Sequence, residues 1–193
     1  MKVDINEKTL RQVYKYGDAN TKITIEQIIG KKYCCKTIME IIKTFQDAKE
    51  ELGPENVFVK EYNNICSTGR PSKDLLAYLR LRIITAALNE GWEPDFTNRK
   101  QDKYYPWFWL YTRKELDELS DMERKKGISF GANANSGAYC GFLYANTSNA
   151  PSVANAGIGS RLCFKSKELA EYAGRQFIGL YLDFLIGGYG KQD

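Results

Sequence analysis

The sequence predicts an α+β protein: a helical N-terminal half, a small antiparallel sheet in the C-terminal half, and a long C-terminal helix covering one sheet face. Three observations predict it. Apolar residues recur at helical spacing between Leu10 and Leu88. An aromatic cluster, Tyr104-Tyr105-Pro106-Trp107-Phe108-Trp109, is followed by a long tract of small uncharged residues. Last, Leu169, Ala173, Phe177, Leu180 and Phe184 fall on one face of a helix running from Lys167 to Ile186. Residues 1–53 read as a helical N-terminal segment and 54–193 as the α+β core, together one compact domain.

Taken in order, Leu10, Val13 and Tyr14 predict a helix from Glu7 to Tyr16 that Gly17 ends. Thr24 is expected to cap a short turn over Ile25–Ile29, stopped by Gly30. Ile38, Ile41, Ile42 and Phe45 share a helical face, and Thr44-Phe45-Gln46-Asp47 reads as an N-cap with an acid at the third helical position, so one helix ends near Lys43 and the next begins at once. Gly53-Pro54 closes it. Residues 54–71 hold Val57-Phe58-Val59 and end in Ser67-Thr68-Gly69-Arg70-Pro71, which predicts a linker; Lys60 and Arg70 in it read as solvated charges. Ser72 then caps a helix carrying Leu75, Leu76, Leu79, Ile83, Ala86 and Ala87, widened by Leu81, Ile84 and Leu88 and stopped at Gly91, so it is buried on more than one side.

In the second half, Tyr105, Trp107 and Trp109 fall on one face of a strand and Tyr104, Phe108 and Leu110 on the other. These aromatics read as core rather than as a stacking platform for bases or sugars, because no basic residue is interleaved with them. Thr112-Arg113-Lys114-Glu115 is a capping box that opens a short helix, and Glu115, Asp117, Glu118 and Asp121 read as its solvated face. Irregular strands and loops are expected over 129–149, a strand at Leu162-Cys163-Phe164, and a Ser166 cap on the last helix.

Composition excludes more than it assigns. The 193 residues carry 28 Lys+Arg against 24 Asp+Glu, a net charge of +4 that permits an acidic partner without demanding one. There is no histidine, which removes Ser-His-Asp and Cys-His catalysis and histidine-containing zinc sites. Five cysteines, including the adjacent Cys34-Cys35, show no paired metal-ligand spacing, so they are expected to be reduced and mostly buried. No catalytic constellation is readable, and no cofactor or metal is expected. The N-terminal residues lack an apolar signal region and no window of about 20 apolar residues exists, so a cytoplasmic protein without a membrane partner is expected.

The unusual surface is the tract from Gly127 to Ile158, which holds no Asp, Glu, Lys or Arg. Asn, Ser, Thr and Tyr offer many neutral hydrogen bonds at small desolvation cost, as binding loops do; small residues also let backbones pack closely. The candidate ligand-binding residues are Asn133, Asn135, Tyr139, Tyr144, Asn146, Asn149 and Arg161, the last the charge adjoining the tract and a candidate anion contact or partner of Glu168. Gly157-Ile158-Gly159-Ser160 is not a dinucleotide fingerprint, since Leu162 occupies the third glycine position.

Lys43-Thr44-Phe45-Gln46-Asp47-Ala48, Ala87-Leu88-Asn89-Glu90-Gly91-Trp92-Glu93-Pro94-Asp95, Lys103-Tyr104-Tyr105-Pro106-Trp107-Phe108 and the stretch Ser160–Phe177 (SRLCFKSKELAEYAGRQF) resemble uncharacterised proteins of Bacteroides phages and prophages. The resemblance spans about 43–186 and implies a phage setting, in the host cytoplasm or on a virion, with no activity to transfer. The tract also resembles the Asn/Ser/Tyr-rich variable stretch of C-type-lectin-like phage receptor proteins, although there it lies near the C-terminus and here a helix follows. The expected function is a non-enzymatic binding protein that contacts a small ligand or protein through residues 129–160. The alternatives are nucleic-acid association and a structural or assembly component of the virion, with a homo-oligomer possible in either case.

Overall fold

A computed structural model describes residues 6–30, 37–98, 100–111, 113–121, 128–131, 140–150 and 162–186. Most of the described residues are helical. It divides into two compact units, Met1–Ile41 and Ile42–Asp193. The helix at 45–52, read from sequence as part of the N-terminal segment, belongs to the second unit.

The first unit is built on a helical hairpin. Helix α1, Glu7–Tyr16, has the predicted bounds, and the side chain of Asn6 caps it by accepting from the Thr9 amide at 3.1 Å. Helix α2, Ala19–Ile29, starts earlier than expected because Asp18, not Thr24, is its cap, accepting from the Thr21 amide at 2.7 Å. Thr24 instead donates back to the Asn20 carbonyl at 2.9 Å. Between the helices Gly17 is crowded: a Cβ there would stand 2.6 Å from the Val13 carbonyl oxygen and 2.9 Å from Thr21 Cγ2. Glycine is therefore demanded by space, its backbone being ordinary extended chain. The Tyr14 hydroxyl donates to the Glu26 carboxylate and ties the helices together. A single turn, α3 (Ile38–Ile41), follows with reciprocal Thr37–Glu40 bonds at its start.

In the second unit, α4 (Phe45–Leu52) opens with the predicted capping box. Asp47 accepts from the Thr44 amide at 2.8 Å and Thr44 accepts from the Asp47 amide at 3.2 Å. Residues 57–68 are not a linker but a helix, α5 (Val57–Thr68), capped by Asn56, which accepts from the Phe58 amide at 2.9 Å. Val57 and Val59 carry β propensity, but burial of Val59 at 1% exposure and packing on the next helix override it.

That next helix, α6 (Lys73–Asn89), is the expected strut. Leu81, Ile83, Ile84 and Leu88 are at most 1% exposed, and α4, α5 and two C-terminal helices surround it. Its two arginines reach sideways onto aromatic faces: Arg80 lies 5.3 Å from the Phe45 ring centroid, and Arg82 lies 4.5 Å from that of Phe58 while pairing with Glu61 at 2.8 Å. Helix α6 ends where Glu90 takes a left-handed conformation (φ 50°) ahead of Gly91 (φ 82°).

Strand β1 (Lys103–Tyr111) pairs antiparallel with β3 (Cys140–Ala150), which pairs on its other side with β2 (Ile128–Gly131). The register runs from Lys103 opposite Ala150 to Tyr111 opposite Gly141, with an irregularity between Trp107 and Phe108. The segment 140–150 is thus one strand of 11 residues, not the irregular strands and loops expected there. Pro106 is accommodated because Tyr104, two residues earlier, directs its amide and carbonyl away from β3 to Phe164, and alternation sends the nitrogen of Pro106 to that same outer edge. The Tyr104–Phe164 contact is an isolated bridge, so Leu162-Cys163-Phe164 is not the strand expected there. Tyr105 and Trp107 pair in unbroken register and so share one face of β1 as expected, but that face is buried only in part: Tyr105 is 7% exposed and Trp107 36%, so Trp107 is not the core residue expected. Helix α7 (Arg113–Glu118) follows β1.

The expected single terminal helix is two, α8 (Lys167–Gln176) and α9 (Ile178–Ile186), interrupted at Phe177 (φ −113°, ψ 26°). Ser166 caps α8, accepting from the Leu169 amide at 3.4 Å. Helix α8 lies against β1 and β3, and α9 runs along α6, where Phe184 stacks on Tyr78 at 5.5 Å. Tyr172 and Gln176 of α8 donate to the carbonyls of Ile42 and Lys43 at 2.6 and 2.8 Å, fastening the start of the unit to its end. Tyr181 of α9 is 1% exposed, packs on Phe108 at 4.9 Å, and has no hydrogen-bond partner for its hydroxyl. A buried orphan hydroxyl is a net cost, so Tyr181→Phe is expected to raise stability by about 1 kcal/mol, read as a higher urea midpoint at unchanged slope.

Candidate functional site

Three of the candidate residues have defined backbone places on β3. Tyr144 stands opposite Phe108, Asn146 opposite Trp107 and Asn149 opposite Tyr104. As the middle strand, β3 has both backbone edges engaged over parts of its length, so anything it recognises must be met by side chains rather than by strand addition. The ladder partner of Asn146, Trp107, is 36% exposed and so partly open to solvent. Asn133, Asn135, Tyr139 and Arg161 lie outside the described residues, so the structure does not bring the seven candidates together as a set.

A polar cluster with no sequence signal lies at the end of α6. Asn89 is 3% exposed; its Nδ2 donates to the Cys163 carbonyl at 2.8 Å and its Oδ1 accepts from the Lys165 amide at 3.0 Å. Lys165 folds its ammonium back to the Asn89 carbonyl at 3.2 Å and the Glu90 carboxylate at 2.8 Å. Nearby, Lys103 is 1% exposed and donates to the Gln101 carbonyl at 2.7 Å and the Asn98 carbonyl at 3.4 Å, with its ammonium 5.3 Å from the Phe96 centroid. Burial pushes the Cys163 thiol up to about 11, against a smaller lowering by the Lys103 charge. The cluster therefore holds a neutral thiol and a saturated amide. That is scaffold chemistry: a nucleophile would need its thiol pushed the other way.

Glu115, Glu118 and Asp121 are exposed, and among the described residues no group of three His, Cys, Asp or Glu side chains could hold a metal ion. Cys66, expected with the buried thiols, is exposed. Lys60 of α5 pairs with Glu55, just ahead of the helix, at 2.7 Å. Lys43, Lys49, Arg80, Arg82 and Lys103 all sit over aromatic rings of their own chain, which commits these cations to internal contacts. No helix among the described residues is long and apolar enough to cross a membrane. Compared with protein-family models, curated proteins and solved structures, the chain matches none.

Proposed function

We propose that this chain is a phage- or prophage-encoded, non-enzymatic binding protein on an α+β scaffold, and that the uncharged residues 129–160 supply its ligand contacts. One observation carries the reading: a partly exposed Trp107 stands directly across the ladder from Asn146, which lies in a tract without ions. An exposed indole with an asparagine at the facing ladder position suits a neutral, polyhydroxylated ligand, whose C–H faces stack on the ring while its hydroxyls exchange hydrogen bonds with amides. A nucleic-acid role is less favoured, because several of the available cations already rest on aromatic faces. The phage setting rests on the resemblance of residues 43–186 to Bacteroides phage and prophage proteins.

The test is calorimetric titration of the full chain with defined neutral oligosaccharides (maltoheptaose, cellohexaose, chitohexaose and a mannan hexamer), with a 20-base-pair DNA duplex in parallel. Binding of at least one oligosaccharide, weakened at least tenfold by Trp107→Ala or Asn146→Ala at unchanged melting temperature, is the expected result. Duplex binding that falls steeply with salt, with no saccharide bound, would replace the reading with the nucleic-acid one.

A further inference from the structure

We propose that Phe96 is a second stacking residue of the same ligand site and that Lys103 positions it; this rests on the reading of that site as one for a neutral oligosaccharide. Lys103, Tyr105 and Trp107 pair in unbroken register with Ala150, Ser148 and Asn146, so their side chains leave one face of β1. Lys103 and Trp107 stand four residues apart on it, about 13 Å along the strand. The Phe96 ring centroid is 5.3 Å from the Lys103 ammonium, which sets this ring at the Lys103 end of the face that carries the Trp107 indole. Both rings remain partly in solvent, Phe96 at 37% and Trp107 at 36% exposure, whereas Tyr105 between them is 7% exposed.

The loop that presents Phe96 is fixed by its own hydrogen bonds. Asp95 accepts from the Thr97 amide and hydroxyl at 2.9 and 2.7 Å. Gln101 closes the loop from the other side: its Oε1 accepts from the Asp95 amide at 2.6 Å and its Nε2 donates to the Glu93 carbonyl at 3.3 Å. At the centre is the Lys103 ammonium, 1% exposed, which donates to the Gln101 and Asn98 carbonyls and lies over the Phe96 ring. A buried charge is costly unless it is hydrogen-bonded, so the loop carbonyls wrap the ammonium, and the wrapping brings Phe96 with it. Lys103 is thus a positioning residue: the ring it holds needs no ordering when a ligand arrives.

Two rings spaced this way select within the class of neutral ligands. A single sugar ring reaches one aromatic side chain, whereas an extended oligosaccharide, with C–H faces repeating along its chain, reaches both. Once the chain is held at Trp107 the second contact is intramolecular, so affinity rises with ligand length.

Calorimetric titration of the full chain compares maltoheptaose, cellohexaose, chitohexaose and a mannan hexamer, each with its own disaccharide. The oligosaccharide that binds is expected to do so at least ~10-fold more tightly than its disaccharide. Phe96→Ala should weaken the oligosaccharide at least ~5-fold and leave the disaccharide unchanged, Phe96→Tyr should bind as the wild type, and Trp107→Ala should weaken both. Lys103→Met, which keeps the aliphatic stem without the charge, should copy Phe96→Ala. Phe96 is exposed, so its own variants decide the matter if the methionine protein fails to fold. A Lys103→Met protein that folds and binds as the wild type removes the positioning role. Equal binding of oligosaccharide and disaccharide, or a Phe96→Ala protein that weakens neither or both alike, overturns the proposal and leaves the Trp107 site standing. No saccharide bound by the wild type overturns both.

Discussion

Asn89→Leu is expected to cost about 3 kcal/mol of folding stability, more than any surface change in this chain. Leucine has the branch point and heavy-atom count of asparagine with bulkier ends, so the loss combines two hydrogen bonds with some overpacking. Asn89 Nδ2 and Oδ1 serve the Cys163 carbonyl and the Lys165 amide at 2.8 and 3.0 Å, and the asparagine is 3% exposed. Leucine removes the side-chain partner from both bonds and leaves two buried backbone groups unsatisfied, at about 1–3 kcal/mol each, which the gain in apolar burial only partly offsets. Asn89→Asp separates the two bonds. The carboxylate still accepts from the Lys165 amide but opposes the Cys163 carbonyl, so it should cost less than leucine at low pH, where it is protonated and donates, and as much or more at neutral pH. Urea unfolding of the three proteins at pH 4 and pH 7 checks the order. Equal losses for leucine and aspartate at both pH values would mean the bonds carry little of the stability.

The node also marks the limit of what could be read from the chain. Helix α1, the strut α6 and the capping box of α4 are announced by short-range signals: Leu10/Val13/Tyr14 spacing with Gly17 behind it, the stripe from Leu76 to Leu88, and Thr44 with Asp47. Helix α5 is hidden because Val57-Phe58-Val59 speaks locally for strand, and only the packing of Val59 on α6 reverses it. The start of α2 is misplaced because two good caps, Asp18 and Thr24, lie six positions apart and spacing alone favours the residue next to the isoleucines. Asn89 has no signal at all: a single amide at the end of an apolar helix has no period, and its partners are 74 and 76 residues away. Two of the stretches that carry the phage resemblance, 87–95 and 160–177, are the ones this asparagine joins. Of the candidate site, β3 gives Tyr144, Asn146 and Asn149 their places opposite β1, whereas the exposure of Trp107, on the same strand face as the buried Tyr105, is not foretold by alternation along β1.

The second large effect is a loss of stability between about pH 9 and pH 11 that depends on one thiol. Cys163 is 3% exposed, and burial lifts its thiol from an ordinary value near 9 to about 11. Below pH 9 the sulfur is protonated whether the chain is folded or not, so its contribution is fully present. As the pH rises through 9 the unfolded chain gives up the proton while the folded chain keeps it, and the equilibrium shifts toward unfolding until the pH passes the folded value near 11. Two pH units of such a difference amount to roughly 2–3 kcal/mol. Lys103, close enough to lower the thiol slightly, works against the shift, so Lys103→Met should steepen the decline. Other groups ionise in this window, among them the buried Tyr181, whose hydroxyl is likewise pushed up by desolvation. The measurement is therefore a difference: urea stability of the wild type minus that of Cys163→Val at pH 8, 9, 10 and 11. Valine has nearly the same volume and nothing to ionise, so the wild type should lose ground to it by roughly 2–3 kcal/mol across the series, with most of the change between pH 9 and 11. A constant difference would show that the thiol ionises in the folded chain as readily as in the unfolded one, and that the bottom of the Asn89 node is wet.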